Sequence, residues 1–183
     1  MKLSYNLSLL CFAISVFLLG GCDKPQSSNS GSSNSGPSQS TAEKLHEQQV
    51  IDIVNATTEG DTAKVKSLLQ SNPKVINAKS TSGGPVDGWP LLMIAAKFGH
   101  ITIAELLIAS GAKVDEENYS AETALMYASM HGHKDIVELL LKNHADPNAR
   151  NDAGATALSA AKSSNNPDKD AIIELLQKNG ARE

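Results

Sequence analysis

The side chains that could do chemistry are few, and their spacing points away from catalysis. His131 and His133 flank Gly132, and His100 stands well before them in a matching Gly-His pair. A zinc ion needs its ligands to converge at roughly 2.0–2.1 Å. The interval from His100 to His133 instead places them at equivalent points of neighbouring structural units, about a helix spacing apart, so a structural role is expected. Both cysteines, Cys11 and Cys22, fall near the amino terminus, leaving the remainder no thiolate for a nucleophile, a metal site or a disulfide. Glu105, Glu138 and Glu174 recur before apolar pairs, the pattern of a solvated helix face rather than an acid/base couple. There is no Gly-x-Ser-x-Gly elbow and no His-Glu-x-x-His, and Ser82-Gly83-Gly84 is not followed by the Gly-Lys-Ser/Thr of a phosphate loop. The expectation is a protein that is not an enzyme, with no cofactor and no metal.

The elements that carry these residues repeat. Pro90, Thr123 and Thr156 follow one another at a constant spacing, and the same spacing separates Gly99 from Gly132 and Gly111 from His144. A period of this size indicates stacked helix pairs. Within Ala121 to Ala149, the Thr123-Ala124-Leu125-Met126 run, Gly132-His133, Ile136-Val137, Leu139 to Leu141 and Ala145-Asp146 together resemble the ankyrin repeat. Full-length matches to that pattern cover roughly Gly88 to Arg182, preceded by a degenerate repeat. The resemblance implies an all-α solenoid of about four stacked helix-turn-helix repeats joined by hairpin loops, spanning 41–79, 80–115, 116–148 and 149–183. It also implies that His100 and His133 bridge backbone groups of neighbouring loops.

The residues support that fold independently. Leu125 and Ala128 mark one face of a short helix, and Ile136, Val137, Leu139 and Leu140 make an apolar stripe on a second. Ala95, Ala96, Ala128 and Ser129 are small enough to let neighbouring helices approach. A single hairpin cannot bury its stripe, so stability must come from the array. Leu45, Val50, Ile53, Val54 and Thr57 outline an opening helix, for which Ser40-Thr41-Ala42-Glu43 has capping-box spacing; Val65, Leu68 and Leu69 supply the next. Polar Lys64 stands where Ile136 does, and Gln177 where Leu141 does, as end repeats facing water require.

The amino terminus reads as an address. Lys2 precedes an apolar stretch, Leu7 to Leu19, too short for a comfortable membrane span. It ends in Leu19-Gly20-Gly21-Cys22, which resembles the bacterial lipobox, implying a signal peptide at 1–21, cleavage before Cys22 and lipidation there, palmitate included. Asp23 resembles an inner-membrane retention signal. The localisation expected is the bacterial cell envelope, lipid-anchored and facing the periplasm, with the inner membrane favoured and the outer membrane possible. Residues 22–40 continue as a Ser/Gly/Asn linker with too little apolar content to fold. The net charge of -4 becomes one unit more negative without Lys2, which excludes the basic stripe of a nucleic-acid binder; the chain is expected to be monomeric.

Departures from the repeat mark candidate binding positions. The Lys79 to Gly88 connection is about five residues longer than its counterpart, and the last repeat gains about three residues around Ser163 to Asp170, with Asn165 where Gly99 and Gly132 align and Pro167 opening the next helix. His144 replaces the glycine found at 111 and 180. The ankyrin resemblance implies a concave face built from hairpin tips and first-helix ends. Carried onto this chain, it comprises Trp89, Lys97, Phe98, Tyr119, Ser120, Glu122, Met130, His131, Asp152, Ala155, Ser163 and Ser164. Three of the aromatic residues beyond Cys22 fall on this face, and aromatics are frequent binding hot spots; Trp89 and Phe98 meet a partner, pack against the long hairpin, or do both. The function expected is a membrane-tethered module binding a periplasmic protein. A specific form is an immunity or protective lipoprotein for a toxin or enzyme, and the distant alternative is an enzyme or small-ligand binder built on the repeat frame.

Overall fold

The computed structural model describes residues 39–81 and 86–182. The leader, Cys22, Asp23, linker residues 24–38 and the Ser82-Gly83-Gly84 run lie outside the described residues. Among those described, eight α-helices follow one another as α1 (Gln39–Glu59), α2 (Thr62–Ser71), α3 (Leu91–Phe98), α4 (Ile101–Ala109), α5 (Ala124–His131), α6 (Lys134–Lys142), α7 (Ala157–Ser163) and α8 (Lys169–Lys178), with a 3-10 turn at Pro73–Asn77 after α2. The fold is all-α, in helix pairs. One row runs α1, α3, α5, α7 and the other α2, α4, α6, α8, each helix packing on the next in its row and on its pair mate.

The rows hold because their apolar positions recur in register. In the second row Ile103 and Leu107, Ile136 and Leu140, and Ile172 and Leu176 are buried pairs, each pair separated by one turn of a helix. In the first row Ala95, Ala96, Ala128 and Ala161 are fully buried, and their small side chains keep α3, α5 and α7 close. The stripe on α6 is Ile136, Val137, Leu140 and Leu141, with Leu139 only partly buried. At the ends, Lys64 and Gln177 are exposed where the internal repeats bury Ile136 and Leu141. Leu45 departs from expectation: it is 62% exposed, because α1 extends beyond the helix pair it belongs to. Helix α1 already includes Gln39, so Ser40 lies inside the helix rather than capping it.

Backbone geometry explains the turn residues. Helices α3 and α5 end at Gly99 (φ 77°) and Gly132 (φ 81°) in the left-handed region. The last repeat does not copy them. Asn165 is not left-handed; α7 ends at Ser164 in extended conformation, φ -79° and ψ 155°, and the added residues carry the chain to α8. Pro167 precedes Asp168, the N-cap of α8, instead of opening the helix itself.

A hydrogen-bond ladder ties successive connections together. Asn77 Oδ1 accepts the Lys113 amide at 3.1 Å, Asp115 Oδ1 the Asp146 amide at 3.1 Å, and Asn148 Oδ1 the Arg182 amide at 2.8 Å. The intervals between these rungs absorb the two insertions, so the same bond recurs although the regular count is interrupted.

Two predictions come from these positions. Ala121 (φ 56°) and His144 (φ 65°) are the non-glycine residues with positive φ among those described, and the equivalents of each in the neighbouring repeats are glycines. Left-handed geometry costs an L-residue roughly 1–2 kcal/mol, partly offset by the roughly 0.4–1 kcal/mol of extra freedom glycine has when unfolded. Ala121→Gly and His144→Gly are each expected to stabilise by about 0.5–1 kcal/mol; a lowered urea midpoint in either would contradict the assigned strain.

The second concerns Asp115, whose carboxyl is raised above the usual aspartate value by burial first, with the Asp146 amide bond lowering it and the Asp146 charge raising it. A raised carboxyl in the folded state binds its proton more tightly than in the unfolded chain. Its stability contribution is therefore full below the ordinary value of about 4 and declines as pH rises through the folded value. Asp115→Asn keeps the acceptor, as Asn77 and Asn148 do, and removes the charge. Its denaturation midpoint should exceed the parent's at pH 7 and the gap should close near pH 3, a small effect because solvent screens this group. A gap that persists unchanged at low pH would point to packing instead.

Candidate interaction face

The hairpins that present this face are built by asparagine. Asn118 Oδ1 accepts the amides of Ser120 and Glu122 at 2.9 and 3.0 Å, and in the next hairpin Asn151 Oδ1 accepts those of Ala153 and Ala155 at 3.1 and 2.8 Å. Each side chain reinforces the backbone pairing of its own turn, where the Asn118 amide donates to Glu122 O at 3.1 Å and the Asn151 amide to Ala155 O at 3.0 Å. The first hairpin is also closed by main chain: Ser80 donates its amide to Trp89 O at 3.0 Å, and Gly88 donates to Ser80 O at 2.7 Å. The hairpins are also joined to one another. Lys79 Nζ donates to Glu117 O at 2.7 Å and pairs with Glu116 at 3.5 Å, and the Asp152 amide donates to Ser120 O at 3.1 Å. The Tyr119 ring lies so close over Gly88 that a Cβ there would sit 2.1 Å from it, so a larger residue at 88 would displace the ring.

Along the ends of α3 and α5 runs a line of flat side chains. Trp89 and Tyr127 meet at a centroid distance of 4.3 Å, Tyr127 and His131 at 6.2 Å, and His131 and His133 at 6.2 Å. Lys97 Nζ lies 4.8 Å from the Trp89 ring centroid and 5.4 Å from that of Phe98, within cation–π range. Burial, then the neighbouring His133 and Lys97 charges, lower the His131 pKa, so this imidazole resists protonation. His133 Nε2 lies 3.0 Å from Lys97 O and His100 Nε2 3.1 Å from Thr58 O. A carbonyl only accepts, so each Nε2 carries the proton. Both rings rest on a glycine of the preceding repeat, His133 on Gly99 and His100 on Gly60. In the last repeat Asn166 takes that place over Gly132, a substitution the sequence reading missed although Asn166 stands one repeat length after His133. Among the described residues no group of three His, Cys, Asp or Glu side chains could hold a metal ion.

The expected contact residues separate into presented and packed ones. Four large apolar side chains are exposed among the described residues: Leu45, Phe98 at 41%, Tyr119 at 73% and Met130 at 43%. Three of them belong to the expected face. Ser120, His131, Asp152 and Ser163 are also exposed, and Lys97, Glu122 and Ala155 are partly so. Two positions differ. Trp89 is only 8% exposed, held between Tyr127 and Lys97, so of the two roles open to it the structure assigns packing. Ser164 is equally buried; its Oγ donates to Ala161 O at 2.7 Å and accepts from Asn166 Nδ2 at 2.7 Å, which removes it from the surface.

Between α5 and α7 lies an open groove of about 190 Å³ lined by Glu122, Met126, Tyr127, Met130, Ser159 and Ser163 among others. Glu122 Oε2 accepts from Asn118 Nδ2 and from the Tyr127 hydroxyl, both at 2.8 Å. Burial and then this carboxylate push the Tyr127 hydroxyl well above its ordinary pKa, so it stays protonated and donating. Tyr127, Asn151 and Ser159 were not among the expected contact residues. The recurrence of Asn118 at Asn151 was the legible signal for one of them, and nothing local marks Ser159.

Residues 53–151 match the family described as Ankyrin repeats (3 copies). The NAD-capped RNA hydrolase NUDT12 of Homo sapiens is 34% identical over 86 residues, covering 47% of this chain and 18% of that protein. The E3 ubiquitin-protein ligase XBAT33 of Arabidopsis thaliana is 41% identical over 73 residues, covering 40% and 14%, and the probable E3 ubiquitin-protein ligase XBOS33 of Oryza sativa subsp. japonica is 42% identical over 73 residues, covering 40% and 13%. The chain thus spans less than a fifth of the length of these relatives. With the family match extending over more than half of its residues, and the helix pairs, hairpins and loop-bridging histidines in place, the chain belongs to the ankyrin-repeat family.

Proposed function

We propose that this chain is a membrane-tethered interaction module that binds a periplasmic protein through the hairpin tips and the ends of α3, α5 and α7. Ankyrin repeats imply protein interaction in general. The observation that carries the finer reading is the exposure of Phe98, Tyr119 and Met130, large apolar side chains left open at the end of α3, in a hairpin and near the end of α5 while otherwise similar residues are buried. Such side chains are costly to leave wet and become hot spots when a partner covers them. Tethering rests on Leu19-Gly20-Gly21-Cys22, with a diacylglycerol thioether at Cys22 and further acylation holding the protein to the membrane; several chains together anchor durably where one binds marginally. No helix among the described residues is long and apolar enough to cross a membrane. The activities named for the relatives are not transferred, because the alignments reach under a fifth of those proteins; the role proposed is binding and not catalysis.

Two outcomes test this. Cys22→Ala should abolish palmitate labelling and release the protein from the membrane fraction; continued labelling elsewhere in the chain would remove Cys22 as the anchor. Crosslinking in cells should give discrete adducts that fade in Phe98→Ala and Met130→Ala variants whose circular dichroism matches the parent. If both folded variants yield the same adducts at full strength, the face is wrongly assigned.

A further inference from the structure

The groove between α5 and α7 has a polarity that narrows what can fill it. Three of the hydroxyls on its walls, those of Tyr127, Ser159 and Ser163, have their hydrogen directed into the protein, while the Thr156 hydroxyl accepts the Ser159 amide. The Tyr127 hydroxyl donates to Glu122 at 2.8 Å, Ser159 Oγ donates to Thr156 O at 2.9 Å, and Ser163 Oγ donates to Ser159 O at 3.0 Å. What those oxygens offer outward is lone pairs. Glu122 adds a carboxylate whose two described bonds both end on Oε2, leaving Oε1 for an incoming donor. No lysine, arginine or histidine lines the groove. Met126 and Met130 supply an apolar wall, with unbranched side chains that adapt to the shape of what they meet. An apolar slot ending in acceptors and one negative charge is complementary to a side chain with an aliphatic stem and a donor-only cationic head.

We propose that this groove receives an arginine or lysine side chain from the protein partner, its head on Glu122 Oε1 and its stem against Met126 and Met130. The groove is open and shares Met130 with the exposed apolar face, so a residue entering it can belong to a segment that also covers Phe98 and Tyr119. This rests on the interaction reading above and gives that reading an anchor: the apolar face supplies contact area, and the groove selects a basic residue.

The test is selection of random-sequence peptides displayed on phage against the full chain, repeated against Glu122→Gln. Glutamine retains an oxygen for the Asn118 and Tyr127 donors and removes the charge, and circular dichroism checks that the fold is kept. Selected peptides should share one basic position and bind Glu122→Gln at least roughly tenfold more weakly, since charge-assisted hydrogen bonds are about twice as strong as neutral ones. Replacing that basic residue by norleucine should give a comparable loss in the parent and little further loss in Glu122→Gln. Peptides that lose affinity with Phe98→Ala yet show no basic preference would overturn the anchor and leave the interaction face standing. Peptides indifferent to Phe98→Ala, Met130→Ala and Glu122→Gln alike would overturn both. Displacement of the selected peptides by equimolar free arginine or spermidine would assign the groove to a small cation and overturn a protein-borne occupant.

Discussion

Everything in this molecule depends on the inability of one helix pair to cover its own apolar surface. The α5–α6 pair shows the constraint: Leu125 and Ala128 on one helix, Ile136, Val137 and Leu140 on the other, are all buried, but much of that burial comes from α3, α4, α7 and α8. Each fully buried Leu or Ile contributes on the order of 1.5–3 kcal/mol, and part of that burial is supplied by the neighbouring repeats. The constant repeat length is therefore a packing requirement. A residue inserted within a helix would turn its stripe away from the next pair, whereas extra residues in a connection leave the stripe in place: Ile172 and Leu176 are buried on α8 although the α7–α8 turn is longer than the α5–α6 turn. Both insertions, near Lys79 to Gly88 and near Ser163 to Asp170, fall in connections.

The same requirement explains the polar devices between repeats. Stacking by apolar faces alone would allow one pair to slide against the next. Directional bonds fix the register: the histidine donors on Thr58 and Lys97 carbonyls at one edge, the Asn77, Asp115 and Asn148 acceptors at the other. Close approach makes the histidine bond possible, because the ring lies where a side chain on Gly60 or Gly99 would otherwise be. Glycine and histidine at these places are one device divided between two repeats; Asn166 fills the same space over Gly132, but its amide donates to Ser164 Oγ in its own repeat, where the last turn is rebuilt.

How much of this is legible in the sequence follows from what each feature depends on. The helix pairs, the small residues of the first row and the polar ends at Lys64 and Gln177 could be read because each reports on its own repeat position. The positive φ of His144 was readable for the same reason, from glycines at 111 and 180. Ala121 was equally available, since its equivalents are Gly88 and Gly154, but an alanine in a hairpin attracts no notice. Asn165 misled because alignment by count assumes that the turn itself is conserved, and the inserted residues replace that turn altogether. Trp89 could not be assigned from its type: a large aromatic suits a core and an interface equally, and only the position of Tyr127 at 4.3 Å decides between them.

The exposed face was legible in outline and not in chemistry, and the reason is physical. Outline depends on which positions the repeat leaves uncovered, so Phe98, Tyr119 and Met130 emerge from periodicity. Chemistry depends on where hydrogens point. Serines at 159 and 163 read as neutral polar residues able to donate or accept, but in a helix their hydroxyls turn back to carbonyls of the preceding turn, and what remains for a ligand is acceptor only. Tyr127 is converted in the same way by Glu122. A groove whose one charged lining group is a carboxylate thereby gains accepting oxygens at Tyr127, Ser159 and Ser163, through bonds each made within its own repeat. Replacing Glu122 by an apolar residue would release the Tyr127 hydroxyl as well as remove the charge, so the polarity of this groove depends on the hairpin that positions Glu122 as much as on the helices that form its walls.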